Sequence, residues 1–144
     1  MPIDAAKVAE ILGGRRVLQR DVATLADLER VVIDGLPIGS LDETARYVAA
    51  DRKAAAAIKD RLVPRATRSR RQRLKLAESE RVARLARIMA LAEFVWEGKE
   101  DARTFMSEPH ALFGDQTPLA MAETELGARR VEDLLMKLEY SLPA

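Results

Sequence analysis

The sequence predicts an all-α protein with two helical regions in succession. Alanine, leucine, arginine and glutamate, which all favour helices, are abundant among its 144 residues. Apolar residues recur at spacings of three and four, as they do on one face of a helix. No alternating strand of useful length occurs, and V-V-I at 31–33 lies within a helical pattern. With 48% hydrophobic residues the chain can build a core, as one domain of ordinary size or two small ones.

Four helices are predicted before the most basic part of the chain. The first spans 4–12 and ends at a Gly-Gly pair. The second spans about 22–34 and places Val22, Leu25, Leu28 and Val32 on one side. The S-L-D-E run at 40–43 has the form of a capping box, with the serine as N-cap, and it opens the third helix. An alanine-rich fourth helix spans 54–62.

The second half of the chain predicts four more helices. A long one begins near Ser79 and ends at a glycine, and a shorter one covers about 100–106. Thr117 followed by proline has the form of an N-cap and a first helical residue. Thr124 caps the last helix, about 125–140. The expected buried stripe of that helix is Val131, Leu134, Leu135 and Leu138.

The charge of the chain changes sign near residue 76. Residues 1–76 carry 16 Lys and Arg against 10 Asp and Glu, a net charge of +6. Residues 77–144 carry 8 against 13, a net charge of −5. We therefore expect two domains, 1–76 and 77–144, joined by a hinge at about 73–79, with nucleic acid as the partner of the first.

The segment Arg65–Lys75 holds six basic residues in eleven and no acid. With 54–62 as supporting helix and 64–72 as recognition helix, it predicts a helix-turn-helix. Arg65, Arg68 and Gln72 would then share one face, and Arg and Gln are residue types that read guanine and adenine edges. A solvated surface helix and RNA binding are the alternatives. The predicted DNA-binding residues are Arg65, Thr67, Arg68, Ser69, Arg70, Arg71, Gln72, Arg73 and Lys75.

Residues suited to catalysis or to metal binding are few. The single histidine, His110, has no partner at a recognisable spacing, so a structural or solvated loop role is favoured. There is no cysteine, which excludes disulfides and thiolate metal sites. The carboxylates Glu132 and Asp133 are expected on a solvated helix face. We therefore predict no enzyme, no cofactor and no metal. Without a secretory segment or a membrane-length apolar run, the protein is expected in the cytoplasm.

The outward face of the last helix is a candidate partner surface. On a helical wheel, Met136 and Tyr140 fall opposite the buried stripe, together with Arg129 and Asp133. Methionine and tyrosine are both favoured at interfaces. Single exposed apolar residues are also normal on protein surfaces, and spacing alone does not decide between the two interpretations.

Residues 109–140 resemble the toxin-binding domain of the Xre/MbcA/ParS-type antitoxins. The preceding helix, E-R-V-A-R-L-A-R-I-M-A-L-A-E, is similar to that family as well. The Xre-like branch carries a helix-turn-helix region before this domain, which suits residues 36–76. This chain departs from the family at His110, Phe113 and Met136, where Asn, Leu and a small residue are usual. The matching positions are Pro109, Gly114, Thr117, Pro118, Leu119, Thr124, Glu125, Gly127, Val131, Leu135, Glu139 and Tyr140.

The resemblance implies an antitoxin of a type II toxin–antitoxin system. Its partner would be a RES-domain toxin that degrades NAD or uses it for ADP-ribosylation. The C-terminal domain would cover the toxin's NAD-binding cleft, and an acidic domain suits a cleft that binds phosphates. The N-terminal region would repress its own operon as a homodimer, within a toxin–antitoxin hetero-oligomer. The implied toxin-binding residues are Arg129, Glu132, Asp133, Met136, Lys137, Glu139 and Tyr140.

A free-standing dimeric helix-turn-helix transcriptional regulator is the alternative to the antitoxin. In that case the acidic half would serve only to dimerise. The two interpretations share the DNA-binding region and differ in whether the last helix meets a toxin.

Overall fold

A computed structural model describes residues 3–68 and 70–140, and over these residues the protein is helical, which confirms the predicted all-α class. Only two isolated β-bridges accompany the helices in that part of the chain. By their contacts the residues divide into two compact units, Met1–Arg87 and Ile88–Ala144. The helices are α1 (Ala5–Ile11), α2 (Gly14–Leu18), α3 (Leu25–Ile33), α4 (Ile38–Val48), α5 (Arg52–Leu62), α6 (Arg65–Arg68), α7 (Leu76–Trp96), α8 (Lys99–Ser107), α9 (Pro118–Met121) and α10 (Glu125–Tyr140), with a 3-10 turn at Ala111–Phe113.

The first unit is built around α1. Asp4 caps this helix by accepting a hydrogen bond from the amide of Lys7 at 3.0 Å, so it begins where the sequence predicts. Its apolar side supplies the fully buried Val8 and Ile11, and α1 packs against α3 and α4. Helix α4 supplies the fully buried Leu41 and also packs against α5.

The predicted capping box at 40–43 is wrong. Helix α4 already begins at Ile38, directly after Pro37, and Ser40 lies buried within it. The capping box of the first unit is at the start of α3 instead. There the Thr24 hydroxyl accepts from the amide of Asp27 at 3.1 Å, and the Asp27 carboxylate accepts from the amide of Thr24 at 3.1 Å.

The predicted helix over 22–34 is too long, and α2 was not predicted. Gly13, with φ 117°, ends α1 in a left-handed conformation, but the chain then forms another helical turn. Leu28, predicted on the same side as Leu25, is buried in α3 together with Val31. Leu25 is 59% exposed, contrary to expectation.

The second unit follows the sequence prediction closely. The Thr117 hydroxyl accepts from the amide of Ala120 at 3.0 Å, with Pro118 as the first residue of α9. The Thr124 hydroxyl accepts from the amide of Gly127 at 3.0 Å and so caps α10. Both predicted caps are confirmed, as is the buried stripe of α10 at Val131, Leu134 and Leu135, while Leu138 is half-buried.

Helices α9 and α10 approach each other closely at Gly127. A Cβ atom at this position would lie 2.0 Å from the Met121 carbonyl oxygen and 2.8 Å from the Thr124 hydroxyl. The first of these contacts is with backbone, which has little room to yield. Glycine is therefore required for the tight corner that sets the start of α10.

Candidate functional site

The basic segment contains a single helical turn. Helix α6 covers Arg65–Arg68, where the sequence predicts a recognition helix over 64–72. Arg70 has a φ of 68°, which is incompatible with a continuing helix. The prediction that Arg65, Arg68 and Gln72 share one helical face is therefore wrong. Ser69, another predicted DNA-binding residue, lies outside the described residues.

The reason for the early helix end is a pairing between 72–74 and 36–38. The Ile38 amide donates to the Gln72 carbonyl at 2.9 Å, and the Leu74 amide donates to the Leu36 carbonyl at 2.8 Å. Backbone groups used in this pairing cannot also serve a helix. The paired residues lie about 36 positions earlier in the chain, so the local sequence of the basic segment does not indicate the pairing.

The pairing is reinforced on both sides. The Arg73 guanidinium donates to the Gly35 carbonyl at 2.8 Å, and the Ser79 hydroxyl accepts from the Leu36 amide at 3.0 Å. The predicted hinge at 73–79 is therefore attached to the first unit, and the units divide between Arg87 and Ile88. The predicted boundary after residue 76, between a DNA-binding region and a toxin-binding region, stays a prediction.

Two arginines of the segment are engaged within the first unit. The Arg68 guanidinium donates to the Val63 carbonyl at 2.6 Å and pairs with Asp60 at 3.0 Å, and its side chain is only 13% exposed. Arg71 makes two parallel hydrogen bonds to the carboxylate of Glu78, at 2.7 and 2.8 Å. Both side chains hold the segment in place, so fewer of their hydrogen-bond donors are available to a partner.

The Glu78 carboxylate is the anchor of this arrangement. Hydrogen bonds from Arg71 lower its pKa from 4.5 to about 2, although burial acts in the opposite direction. The carboxylate also accepts from the Lys75 amide at 2.8 Å, at the point where α7 begins. A negative charge at a helix N-terminus is favourable, which explains why α7 starts at Leu76 and not near Ser79.

The remaining predicted DNA-binding residues are exposed. The Thr67 hydroxyl donates to the Pro64 carbonyl at 2.8 Å, and the Gln72 side chain is open to solvent. Arg65, Arg70 and Lys75 are exposed cations on the same short stretch of chain. Three cations so placed suit phosphate contacts, since these need charge and reach but no fixed helical face.

The outward face of α10 carries the second candidate site. Arg129, Asp133, Lys137 and Tyr140 are exposed, and Tyr140 reaches 65% exposure. Met136 is half-buried, contrary to its predicted place on the outward side. Glu132 and Glu139, the other predicted toxin-binding residues, are half-buried too.

The sequence reasoning missed Leu126 on this face and Arg130 beside it. Leu126 is 79% exposed and lies about four helical turns before Tyr140, so the same helical wheel places it on the outward side. Arg130 is the other: its guanidinium donates to the Leu112 carbonyl at 2.9 Å and lies 5.6 Å from the centre of the Phe113 ring. Arg130 thereby fastens the 3-10 turn to α10.

A groove of about 410 Å³ opens elsewhere on the second unit. The lone histidine belongs to it and has a structural role, because its Nδ1 accepts from the Leu112 amide at 3.2 Å and so caps the 3-10 turn. This groove was not predicted. Its lining includes Trp96, Asp101, Phe105, Glu108, His110 and Leu138.

Within residues 3–68 and 70–140, no group of three or more His, Cys, Asp or Glu side chains is arranged to hold a metal ion. Among the helices of the same residues, none has both the length and the apolar character to cross a membrane.

Comparison with known proteins defines the class of the second unit. Residues 91–140 match the family described as the antitoxin Xre/MbcA/ParS C-terminal toxin-binding domain. The match runs from the last turns of α7 to the end of α10 and includes the outward face described above. The chain thus carries the toxin-binding domain of a toxin–antitoxin system.

Relatives extend the likeness beyond this domain. Antitoxin Xre of Yersinia enterocolitica is 33% identical over 135 residues, which are 88% of this chain and 90% of the Yersinia protein. Antitoxin Xre of Pseudomonas putida is 34% identical over 84 residues, 56% of this chain and 53% of that protein. Antitoxin Xre of Photorhabdus laumondii is 36% identical over 66 residues, 45% of each chain. The chain belongs to the Xre antitoxin family.

Proposed function

We propose that this antitoxin neutralises a RES-domain toxin, one that degrades NAD or uses it for ADP-ribosylation, by covering the toxin's NAD-binding cleft. The observation that carries the proposal is the match of 91–140 to a toxin-binding domain whose last helix presents an open polar face. The protein acts by binding and not by catalysis.

Charge and shape support α10 as the inhibitory element. Residues 77–144 have a net charge of −5, and a cleft that binds the phosphates of NAD must be basic. Tyr140 stands at the end of α10 with 65% of its surface exposed. An aromatic residue of this kind buries a large area at low entropic cost, which is typical of the strongest contacts of an interface.

Neutralisation is tested by co-expression with a RES-domain toxin, sought as the product of a gene that adjoins the gene of this chain. Wild-type antitoxin should restore growth, whereas Asp133→Ala with Tyr140→Ala should weaken the complex by about thirtyfold or more and leave the toxin active. Point variants are required, since α10 also supplies the fully buried Val131 and Leu135 to the core. Continued lethality beside the wild-type antitoxin would refute the proposed function.

We further propose that the first unit binds operator DNA as a homodimer and represses the toxin–antitoxin operon. The support is the cluster of exposed cations at Arg65, Arg70 and Lys75, within a region of net charge +6. Because α6 is one turn long, we expect these residues to contact the phosphates of DNA. Other residues would then contact the base edges. A free-standing dimeric regulator remains the alternative function, and it predicts DNA binding without any toxin affinity.

Operator binding is tested by gel shift on the DNA upstream of the chain's own gene. Arg65→Ala with Arg70→Ala should weaken binding and reduce the dependence of affinity on salt by about two counterions. Arg129→Ala with Lys137→Ala removes the same charge from the second unit and should leave DNA binding unchanged. Equal loss in both variants would mean that net charge alone drives the interaction.

A further inference from the structure

The groove on the second unit combines an aromatic wall with an acidic rim. Trp96 is 40% exposed, and its ring centre lies 5.8 Å from that of Phe105. Leu138 of α10 completes the apolar lining. Ligand sites are concave and lined by aromatic side chains, so an exposed tryptophan that lines a groove with Phe105 and Leu138 is a candidate ligand contact.

The rim of the groove is negatively charged. Asp101 and Glu108 line it, and both residues are exposed. The residues that line the groove are all described, and none of them is lysine or arginine. The chemistry that would complete the site is therefore a cation that can also cover an indole ring.

Arginine fits this description better than the other natural cations. Its guanidinium is planar, stacks on the face of an aromatic ring and donates to carboxylates in a fork-like geometry. The lysine ammonium is a compact charge that is more strongly hydrated than a guanidinium and has no flat face to stack on the ring. Nucleic acid is disfavoured, because the carboxylates would repel its phosphates.

We propose that this groove receives an arginine side chain of the partner toxin, as a contact separate from the outward face of α10. The inference rests on the proposed function, since it names a second point of attachment for the same partner. Charge complementarity supports it: an acidic groove suits a protein that must be basic around its NAD-binding cleft.

The experiment compares three forms of the full-length antitoxin for affinity to the RES-domain toxin used in the co-expression test. The groove variant is Asp101→Asn with Glu108→Gln, and both changes are at exposed positions and keep the shape of the side chains. The matched control is Glu97→Gln with Asp115→Asn, which removes the same charge from exposed positions that do not line the groove. Circular dichroism and thermal melting verify that all three forms are folded. The groove variant should bind about tenfold more weakly, and the control should bind as the wild type does.

A small probe tests the chemistry of the groove without the toxin. Trp96 is the only tryptophan of the chain, so its fluorescence reports on the groove alone. The peptide acetyl-Leu-Arg-Leu-amide should change this fluorescence saturably, and acetyl-Leu-Glu-Leu-amide should not. The response to the arginine peptide should weaken in the groove variant and persist in the control.

Each outcome has a distinct meaning. If the wild type binds the toxin and the groove variant binds it equally well, the groove proposal is overturned and the antitoxin function stands. If the wild type itself does not bind the toxin, both are overturned. If the groove variant keeps its toxin affinity but loses self-association in sedimentation, the occupant is a second copy of this chain, which also overturns the proposal.

Discussion

Replacing Glu78 by glutamine tests how the basic segment is held. The substitution keeps the shape of the side chain and removes its charge. Glutamine offers one acceptor oxygen in place of two, so only one of the hydrogen bonds from Arg71, at 2.7 and 2.8 Å, can remain, and it loses the carboxylate charge. Because Arg71 retains some access to water, one lost and one weakened hydrogen bond should lower the free energy of unfolding by about 1 to 2 kcal/mol.

Urea denaturation followed by circular dichroism at neutral pH measures this loss. Glu80→Gln is the matched control, because Glu80 is an exposed carboxylate on the same helix. It should change the free energy of unfolding by less than about 0.5 kcal/mol. In the Glu78→Gln protein, Arg71 also loses its ion pair, so its charge becomes available to phosphate and binding to operator DNA should strengthen.

The pH dependence gives an independent check with a definite sign. The pKa of Glu78 in the folded protein, about 2, lies below its ordinary value of 4.5. Its stabilising contribution is therefore complete above pH 4.5 and is lost as the pH falls from 4.5 towards 2. The stability difference between wild type and Glu78→Gln should shrink over that range. A difference that is absent at neutral pH, or constant down to pH 2, would refute the assigned role of Glu78.

Three further predictions concern the second unit. In thermal melts, Gly127→Ala should destabilise this unit by about 2 to 3 kcal/mol, because the new methyl group meets the Met121 carbonyl. The control Gly98→Ala places its methyl group in open space and should cost less than about 1 kcal/mol. Thr124→Ala removes the cap of α10 and should cost about 1 kcal/mol in urea denaturation, and no loss would show that the cap is dispensable. Arg130→Ala should lower stability by about 1 kcal/mol through the lost bond to the 3-10 turn, while Arg129→Ala, at an exposed position, should have no measurable effect.

Elements with local signals were predictable from the sequence. The threonine caps of α9 and α10 act over three residues, so their pattern alone indicates where each helix starts. The basic segment was mispredicted because a distant partner decides its conformation. Its pairing with 36–38 ends the helix after one turn, and composition alone favours a longer one.

The two candidate sites on the second unit also differ in whether local sequence or distant residues define them. The outward face of α10 follows from helical spacing, which is why Tyr140 and Asp133 are exposed as expected. The groove joins residues from the end of α7, from α8 and from α10, and no motif links them. Only the folded chain brings Trp96 and Leu138 to one site, so spacing could not reveal it.

Helix α10 presents a different surface on each of its two sides. Leu138 contributes to the groove, and Asp133 is exposed on the outward face. A helix with its side chains is about 10 to 12 Å thick, and an extended chain advances about 3.3 Å per residue. A partner that occupies both sides must therefore send two separate segments, or pass one segment of at least about four residues around the end of the helix near Tyr140. Such a partner would bind α10 from two sides, and the loss of either contact would weaken the other.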